Sequence, residues 1–395
     1  MLAYFTYFGV LGIFVPYFGL FLDGRGLSSA DIGLLLAIVT ASRIVGPSVW
    51  ALVAERTGKP LQVMRYGAIL ASLGWLSSFA DYGFWPLLGG FALFSFFWTA
   101  ILPQLEVSAF AFLNDDTQAY GRIRTSGSVG YIVLVMLGGW LFERYGSEFL
   151  PLSALLFLLL LLCSLFLLPK VTVNAELSSE HVSFTKLIKN TVLVRFMLAA
   201  LLLQMSFAPF YGFFTLYSRD LGYSGTQTGL FIGLAILAEI VAFYFAGSLM
   251  RNRSYRLLLS VCYGVTVIRW YLLATVADNV WLLCFSMLLH AGSFAIAHSC
   301  AMQFIQQFFP RKLRSRGQAM YAGVIFGGGG AIGAYFSGLL WQNGTGSGLT
   351  FTVAALLALA ATLLALTLPA VDEPWVAAFA AGLHETAEYY NCQLI

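Results

Sequence analysis

Seven ionisable side chains lie inside or beside long apolar stretches of this chain and are its best candidates for chemistry. They are Arg43, Glu106, Arg124, Glu239, Arg269, His290 and His298. A charge at the centre of a bilayer costs about 2.5 to 3.5 kcal/mol on insertion scales, so each such group needs a partner or a function. With the histidines neutral, three arginines and two glutamates give 3 − 2 = +1, which favours an anionic ligand. The structural alternative is that these groups only form ion pairs between helices.

Glu106 and Arg124 form the most informative pair. They lie 18 residues apart across the turn at 114–120, which predicts positions on adjacent helices near one membrane face. A carboxylate beside a planar guanidinium offers paired hydrogen bonds to hydroxyl or carboxylate groups. We therefore predict that this pair binds the polar end of a substrate.

Glu239, His290 and His298 suit proton transfer. Apolar residues surround Glu239, and such surroundings favour the protonated form of a carboxyl group. Histidine titrates near neutrality, and His298 follows His290 by eight residues, which places both on roughly one helical face. We expect Arg269 to pair with Glu239. The alternative is that both histidines are hydrogen-bonded packing residues.

Polar and aromatic side chains occur together in two other stretches. Gln204 and Tyr211 share one helical face, and Tyr4 and Tyr7 lie near the start of the chain. Tyrosine and glutamine inside an apolar span favour a polar cavity or a partner on another helix, whereas nearby phenylalanines fit ordinary core positions. We predict that these four residues, together with Arg269, line a substrate cavity suited to a small ring-bearing acid.

The composition identifies the environment of these residues. The 395 residues are 59% apolar, 16% aromatic and 10% charged, with a mean hydropathy of +0.83. A soluble chain carries roughly 25% charged residues, so this chain lacks the polar surface that water requires. The net charge of +3 is spread over short loops, which argues against nucleic acid as a partner. The composition predicts a membrane protein whose partners are lipid and a small molecule.

Twelve apolar runs are long enough to cross a hydrocarbon core of about 30 Å as helices. They occupy 1–22, 32–54, 61–80, 84–113, 123–142, 149–168, 196–217, 228–250, 257–277, 280–309, 319–341 and 349–368. The one long polar stretch separates the sixth run from the seventh. We predict an all-α membrane protein with an N-terminal six-helix bundle at 1–168, a central cytoplasmic loop at 169–192, a C-terminal six-helix bundle at 193–370 and a tail at 371–395.

The positive residues predict the orientation in the membrane. Of 21 lysines and arginines, fifteen lie in or beside loops after even-numbered helices, three lie in the other loops, and three lie within helices or at their edges. Because cytoplasmic loops carry the excess of positive charge, we predict cytoplasmic termini and a multi-pass protein of the cell inner membrane. The five cysteines form neither a disulfide framework nor a metal pattern, so we expect no cofactor. We also expect a monomer.

The segment that follows the second run, Ala51-x-x-x-Glu55-Arg56-x-Gly58-Lys59, resembles the loop motif of the major facilitator superfamily. That motif usually begins with glycine and has aspartate before the arginine, so Ala51 and Glu55 depart from it. The resemblance implies two six-helix bundles that expose a central site alternately to the two sides of the membrane. The residues for which we expect a gating or structural role are Arg43, Glu55, Arg56, Gly58 and Lys59.

The charged set is similar to that of the lactose permease type of proton symporter. In that family a helix-four glutamate and a helix-five arginine, spaced like Glu106 and Arg124, bind substrate together. The resemblance extends to Glu239, Arg269 and His290, and it implies that this region couples protons to substrate. Ser293 stands where that family has a proton-carrying glutamate. The resemblance therefore implies that Glu239 or a histidine carries the proton here.

A resemblance to the 3-phenylpropionate permease group covers nearly the whole chain. Its segments are 4–8, 12–16, 120–128, 211–213, 269–270 and 289–290, with His298. It implies a proton-coupled symporter that imports a small organic acid, for which an aromatic carboxylate such as phenylpropionate is one candidate. Sugar or nucleoside symport is the alternative. Drug/proton antiport is less favoured because 127–140 lacks the proline of the antiporter motif, and no nucleophile or metal constellation indicates an enzyme.

Overall fold

The computed structural model describes residues 1–113, 117–169, 184–251, 253–310 and 313–369. These residues are almost entirely helical, and no strand occurs among them. The tail predicted at 371–395 and most of the loop predicted at 169–192 lie outside the described residues. A short helix, Phe184–Leu187, precedes the second half of the chain.

Twelve long helical segments account for the fold, as the apolar runs predict. They are α1 Leu2–Gly24, α2 Ser29–Thr57, α3 Pro60–Trp75, α4 Phe84–Phe112, α5 Thr117–Tyr145, α6 Leu150–Phe166, α7 Thr191–Asp220, α8 Gly225–Met250, α9 Tyr255–Thr275, α10 Val280–Phe308, α11 Arg314–Gly344 and α12 Ser347–Leu366. Among the described residues, eleven of these helical regions are long and apolar enough to cross a membrane. The exception is α3, whose 16 residues continue as a 3-10 turn at Leu76–Phe79.

Local sequence signals set several helix ends. Ser224 caps α8 by accepting a hydrogen bond from the backbone N–H of Gln227, whose side chain accepts one from the Ser224 backbone in return. Gly58 ends α2 with a φ of 64°, a left-handed conformation that glycine adopts without a steric penalty. These signals allow short turns, so consecutive helices run in opposite directions.

The helices pack as two groups of six that meet along three helix pairs. In the first group α1 lies against α5 and α6, and in the second α7 lies against α11 and α12. The groups meet where α1 contacts α7, α2 contacts α11 and α5 contacts α8. The all-helical fold of two six-helix bundles predicted from the sequence is therefore confirmed. The ionisable and polar side chains predicted to form the substrate and proton site lie along this central interface.

One face of the molecule is closed by contacts between the groups. The face that carries the start of α1 and the loops after even-numbered helices is called the terminal face. The closed face carries the loops after odd-numbered helices and is called the opposite face. At the opposite face the side-chain oxygen of Asn343 accepts hydrogen bonds from the backbone N and Oγ of Ser29, at 3.0 and 2.8 Å. Glu143 similarly accepts from the backbone N of Thr226 at 2.9 Å. The central cleft lies on the terminal-face side of these contacts, where Arg43 is exposed and Glu106 and Arg124 are partly exposed.

Glycines allow the closest approach at the opposite face. A Cβ added to Gly33 of α2 would lie 2.6 Å from the Cα of Gly338 in α11, well inside ordinary van der Waals distance. The glycine-rich stretch of α11 also packs closely, since a Cβ on Gly327 would lie 2.7 Å from the side chain of Ile44. Within α11, Ala322–Gly329 form a π-helical segment, and Ala291–Ile296 form another in α10.

Candidate substrate and proton site

Glu106 of α4 and Arg124 of α5 lie together in the cleft, as their spacing predicts. Nε of Arg124 is 3.9 Å from Oε1 of Glu106, and their side chains are 34% and 38% exposed. The guanidinium also lies over the ring of Phe8, 4.1 Å from its centroid. The ion pair is long and accessible, so Arg124 retains N–H groups that a ligand can engage.

Tyr4 and Tyr7 of α1 lie beside this pair. Both interact electrostatically with Glu106 and Arg124. The ring of Tyr7 stacks on Trp98 at 4.4 Å between centroids. Both tyrosines are buried, so they support this side of the cleft from within the bundle instead of lining its surface as the sequence predicts.

Tyr120 belongs to the same cluster and was not singled out from the sequence. Its ring stacks on Phe110 at 4.0 Å and meets Tyr4 edge-on at 6.5 Å. Tyrosine has a polar end and an apolar ring, so a tyrosine one turn before Arg124 was a usable signal.

Glu239, His290 and Arg269 form a row of contacts on the other side of the cleft. Nη1 of Arg269 is 2.8 Å from Nδ1 of His290, and Nε2 of His290 is 3.3 Å from Oε2 of Glu239. A guanidinium can only donate, so Nδ1 accepts and the ring proton lies on Nε2, the nitrogen nearest to Glu239. Arg269 and Glu239 are thus joined through His290 instead of forming the direct pair expected from the sequence, because the imidazole occupies the space between them.

Arg269 is fully buried and held between aromatic rings. Its Cζ lies 4.3 Å from the centroid of Phe210 and 4.5 Å from that of Trp270. Its Nη1 also donates to Oγ of Ser293 at 3.4 Å, while Nε and Nη2 have no hydrogen-bond partner among the described residues. Cation–π contacts of this kind contribute about 2 kcal/mol when desolvated, which helps to keep the charge in place. The guanidinium therefore has no direct access to the cleft.

Glu239 connects the two sides of the site. Its side chain is 18% exposed, and it interacts electrostatically with both Arg124 and Arg269. Tyr211 of α7, which the sequence predicts in the cavity, interacts electrostatically with Glu239, Arg269 and Arg43. Tyr131 of α5 interacts electrostatically with Tyr211 and Glu239, and no sequence pattern pointed to it.

Gln204 and His298 line a small, half-open pocket beside this row. It is lined by α7, α9, α10 and α11 and has a volume of about 20 Å³. The ring of Phe294 lies between His290 and His298, 5.4 Å from the first and 5.8 Å from the second. The two histidines share a helical face, as predicted, yet they have no direct contact, because the aromatic ring fills the gap.

The residues expected to gate or support the structure are divided between two places. Arg43 is exposed in the middle of α2 and interacts electrostatically with Tyr7 and Tyr211, so it faces the cleft. The others lie exposed at the turn between α2 and α3 on the terminal face, namely Glu55, Arg56, Gly58 and Lys59. In the described ranges this turn has no ion pair.

Comparison with known proteins agrees with this architecture. Residues 1–353 match the MFS_1 like family. The chain is 31% identical to the probable 3-phenylpropionic acid transporter of Escherichia coli over 373 residues, which cover 92% of this chain and 95% of that protein. It is 25% identical to the maltose permease of Geobacillus stearothermophilus over 363 residues, which cover 87% and 88% of the two chains.

A solved structure shares the fold at low sequence identity. The crystal structure of the nucleoside transporter NupG matches with a TM-score of 0.75 and 16% identity, over 95% of this chain and 97% of that one. The relatives are transporters and not enzymes, and the helices of this chain are those of a multi-pass membrane protein. The chain therefore belongs to the MFS_1 like family, within the major facilitator superfamily of membrane transporters.

Proposed function

We propose that the protein is a symporter that carries a proton together with a small organic acid, of which an aromatic carboxylate is the best candidate. The observation that carries this proposal is the arrangement of the cleft. An accessible arginine lies on one side, and a carboxyl group tied to a buried arginine lies on the other. Such a site can hold an anion and a proton at the same time.

Arg124 is the group proposed to bind the substrate carboxylate. It is partly exposed and only loosely paired with Glu106, so paired hydrogen bonds to a carboxylate remain open to it. Phe8 is half-buried close to that position and can meet a substrate ring, and buried Tyr7 packs edge-on against it at 5.2 Å. The Escherichia coli relative is named as a probable 3-phenylpropionic acid transporter, which supports the same chemical class of substrate.

Glu239 is the group proposed to carry the proton. Its Oε2 lies 3.3 Å from Nε2 of His290, and Arg269 occupies Nδ1 of that ring by donating to it. His290 consequently has no free acceptor nitrogen while Arg269 is in place, and its role is to orient Glu239 and transmit the charge of Arg269. Ser293 lacks an ionisable group, which leaves Glu239 as the carboxyl group of this row.

The charges of the site explain why a proton and an anion would travel together. Arg43, Arg124 and Arg269 against Glu106 and Glu239 give +1, and protonation of Glu239 raises the sum to +2. Binding of a monoanion then returns it to +1. Transport of one proton with one monoanion moves no net charge, so it avoids the roughly 2.3 kcal/mol that each charge costs against 100 mV.

The direction of transport follows from the loop charges. The positive residues cluster on the terminal face, so that face is proposed to be cytoplasmic and the membrane to be the cell inner membrane. The cleft would then open to the cytoplasm, a state from which an imported acid is released. We propose that one chain suffices, because its own two groups of six helices form both sides of the cleft.

Uptake into proteoliposomes tests the proposal. With the outside more acidic than the inside, labelled 3-phenylpropionate should accumulate, and Glu239→Gln should abolish accumulation while retaining exchange of labelled for unlabelled substrate. Glu148→Gln is the matched control, because this exposed carboxylate is bonded to Arg25 outside the cleft. Absence of pH-driven uptake of any small acid would refute the symport of acids, and full accumulation by Glu239→Gln would refute its role.

A sugar or nucleoside remains the second candidate substrate. The similarity to a maltose permease and to the nucleoside transporter NupG favours it, and the Glu106–Arg124 pair can also bind hydroxyl groups. Competition decides between the two candidates. Inhibition of uptake by neutral glycosides or nucleosides, and not by acids, would favour this alternative.

A further inference from the structure

We propose that the turn between α8 and α9 is part of a binding surface for the headgroups of anionic phospholipids. The turn carries Arg251, Arg253 and Arg256, and all three side chains are exposed on the terminal face. Arg314 and Arg316 are exposed in the same way at the start of α11. These five arginines are called the basic patch. The proposal concerns the contact between the protein and its bilayer, so it does not depend on which substrate is carried.

Aromatic packing brings the parts of the basic patch together. The ring of Tyr255 at the start of α9 meets Phe304 of α10 edge-on, at 5.7 Å between centroids. Phe196 of α7 stacks on Phe304 at 4.0 Å and on Tyr321 of α11 at 6.0 Å. These contacts hold the ends of α9, α10 and α11 side by side, so the positive charges beside them act on one region of the surface.

The guanidinium groups of the basic patch are available to a ligand. Within the described ranges none of the five forms an ion pair. Two other arginines of the terminal face differ, because Arg65 donates to backbone carbonyl groups at the end of α6 and Arg195 donates to the carbonyl oxygen of Thr367. Those two stabilise helix ends, whereas the arginines of the basic patch can donate to phosphate oxygens.

No acidic side chain neutralises the basic patch within the part of the chain that the structure describes. The acidic residues described in the second group of helices are Asp220, Glu239 and Asp278. Asp220 and Asp278 lie at the opposite face, and Glu239 lies in the cleft. A cluster of four to eight lysines or arginines directly beyond membrane helices attracts anionic lipids, and each residue near the surface strengthens binding about fivefold.

The orientation of the protein does not require this much charge. The turn between α2 and α3 joins the second and third helices of the first group, as the α8–α9 turn does in the second group. It carries Arg56 and Lys59 beside Glu55, which gives 2 − 1 = +1. The α8–α9 turn carries three arginines and no acidic residue, which gives +3. The excess on the second group therefore points to an anionic ligand.

Lipid-facing side chains lead to the turn and favour a lipid over a soluble partner. On α8 the exposed residues Leu237, Val241 and Tyr244 are spaced by four and three positions, so they form one stripe. Two of them lie two residues from Glu239, which places the stripe on the side of α8 that faces away from the cleft. Leu257 is exposed at the start of α9. Acyl chains that pack on these residues place their headgroups beside the basic patch.

Titration of the purified protein with short-chain lipids tests the proposal. Dioctanoyl phosphatidylglycerol, added to the protein in an uncharged detergent, should raise the Tm, because a ligand that binds the folded state stabilises it. Dioctanoyl phosphatidylcholine has the same chains without a net charge, and glycerol 1-phosphate has an anionic headgroup without chains. Neither should raise the Tm. The apparent affinity for phosphatidylglycerol should fall about 100-fold in the triple variant Arg251→Gln, Arg253→Gln and Arg256→Gln.

Two further variants separate loss of charge from loss of fold and from a general effect of charge. Arg251→Lys, Arg253→Lys and Arg256→Lys together keep the three charges and should retain the affinity. Arg56→Gln with Lys59→Gln is the matched control, because it removes two charges from the corresponding turn of the first group, and it should also leave the affinity unchanged.

Four results would overturn the proposal. An equal response to phosphatidylcholine would mean that the acyl chains alone bind, and a response to glycerol 1-phosphate would mean that the patch binds free anions. An unchanged affinity in the triple glutamine variant would place the lipid elsewhere. An equal loss in the control pair would mean that only the total charge matters.

Discussion

Gly33 allows α2 to lie directly against α11, and this contact should control how readily the opposite face opens. A Cβ in Gly33→Ala would lie 2.6 Å from the Cα of Gly338 and 2.8 Å from the carbonyl oxygen of Ala334. Both are backbone atoms of the other group of helices, so they cannot rotate away. Carbon atoms pack at about 3.5 to 4.0 Å, and the helices must therefore separate by about 1 Å.

The cost of this separation sets the size of the effect. Overpacking of a tight contact typically costs about 1 to 3 kcal/mol. The strain exists only while the face is closed, so it shifts the equilibrium toward the open face by about 5-fold to 150-fold. The matched control is Gly247→Ala in α8, because a Cβ on Gly247 would meet nothing within 4 Å.

A cysteine reporter measures this shift. Ala37 lies one turn beyond Gly33 and is 8% exposed, so Ala37→Cys in a background without native cysteines should react with a maleimide only when the face opens. The labelling rate should rise at least about 5-fold in Gly33→Ala and stay unchanged in Gly247→Ala. Equal labelling rates in the two variants would refute the idea that the glycine contact limits opening.

Three smaller effects complete the set of predictions. Asp23→Asn removes the ion pair with Arg219. Because exposed ion pairs contribute about 0.2 to 1 kcal/mol, the labelling rate of Ala37→Cys should rise less than about 5-fold. A larger rise would contradict the reasoning. Trp270→Phe removes the buried hydrogen bond to Oγ of Ser206 at 3.0 Å and should lower the free energy of unfolding by about 1 kcal/mol, seen as a lower Tm; an unchanged Tm would count against it. Arg43→Gln removes a positive charge that faces the cleft. The affinity for 3-phenylpropionate, measured by calorimetry, should fall about tenfold. An unchanged affinity would exclude Arg43 from the site.

Much of the fold was predictable because membrane helices are encoded locally. Each span needs a long apolar run, and the runs, turns and polar linker can be read without knowledge of distant contacts. The pairing of Glu106 with Arg124 was predictable for a related reason. Helices joined by a short turn lie side by side, so their spacing along the chain fixes which residues meet.

The rest of the candidate site depends on helices that are distant in sequence. The insertion of His290 between Arg269 and Glu239 combines α8, α9 and α10, and hydropathy alone does not fix how these helices rotate against one another. Tyr131 joins the site from the other half for the same reason. Apolar spans tolerate many rotations about their axes, and packing selects one of them.

The sequence by itself therefore determined the class of protein, its number of helical segments and the short list of charges that a membrane would not otherwise retain. Only the tertiary structure decided how those charges are grouped: an accessible arginine on one side of the cleft, two buried groups with the half-buried Glu239 on the other, and His298 in a small pocket with Gln204. The physical reason is the distance along the chain over which each effect acts. Hydropathy acts along the chain over one span, whereas hydrogen bonds and close glycine contacts form only after two bundles have packed.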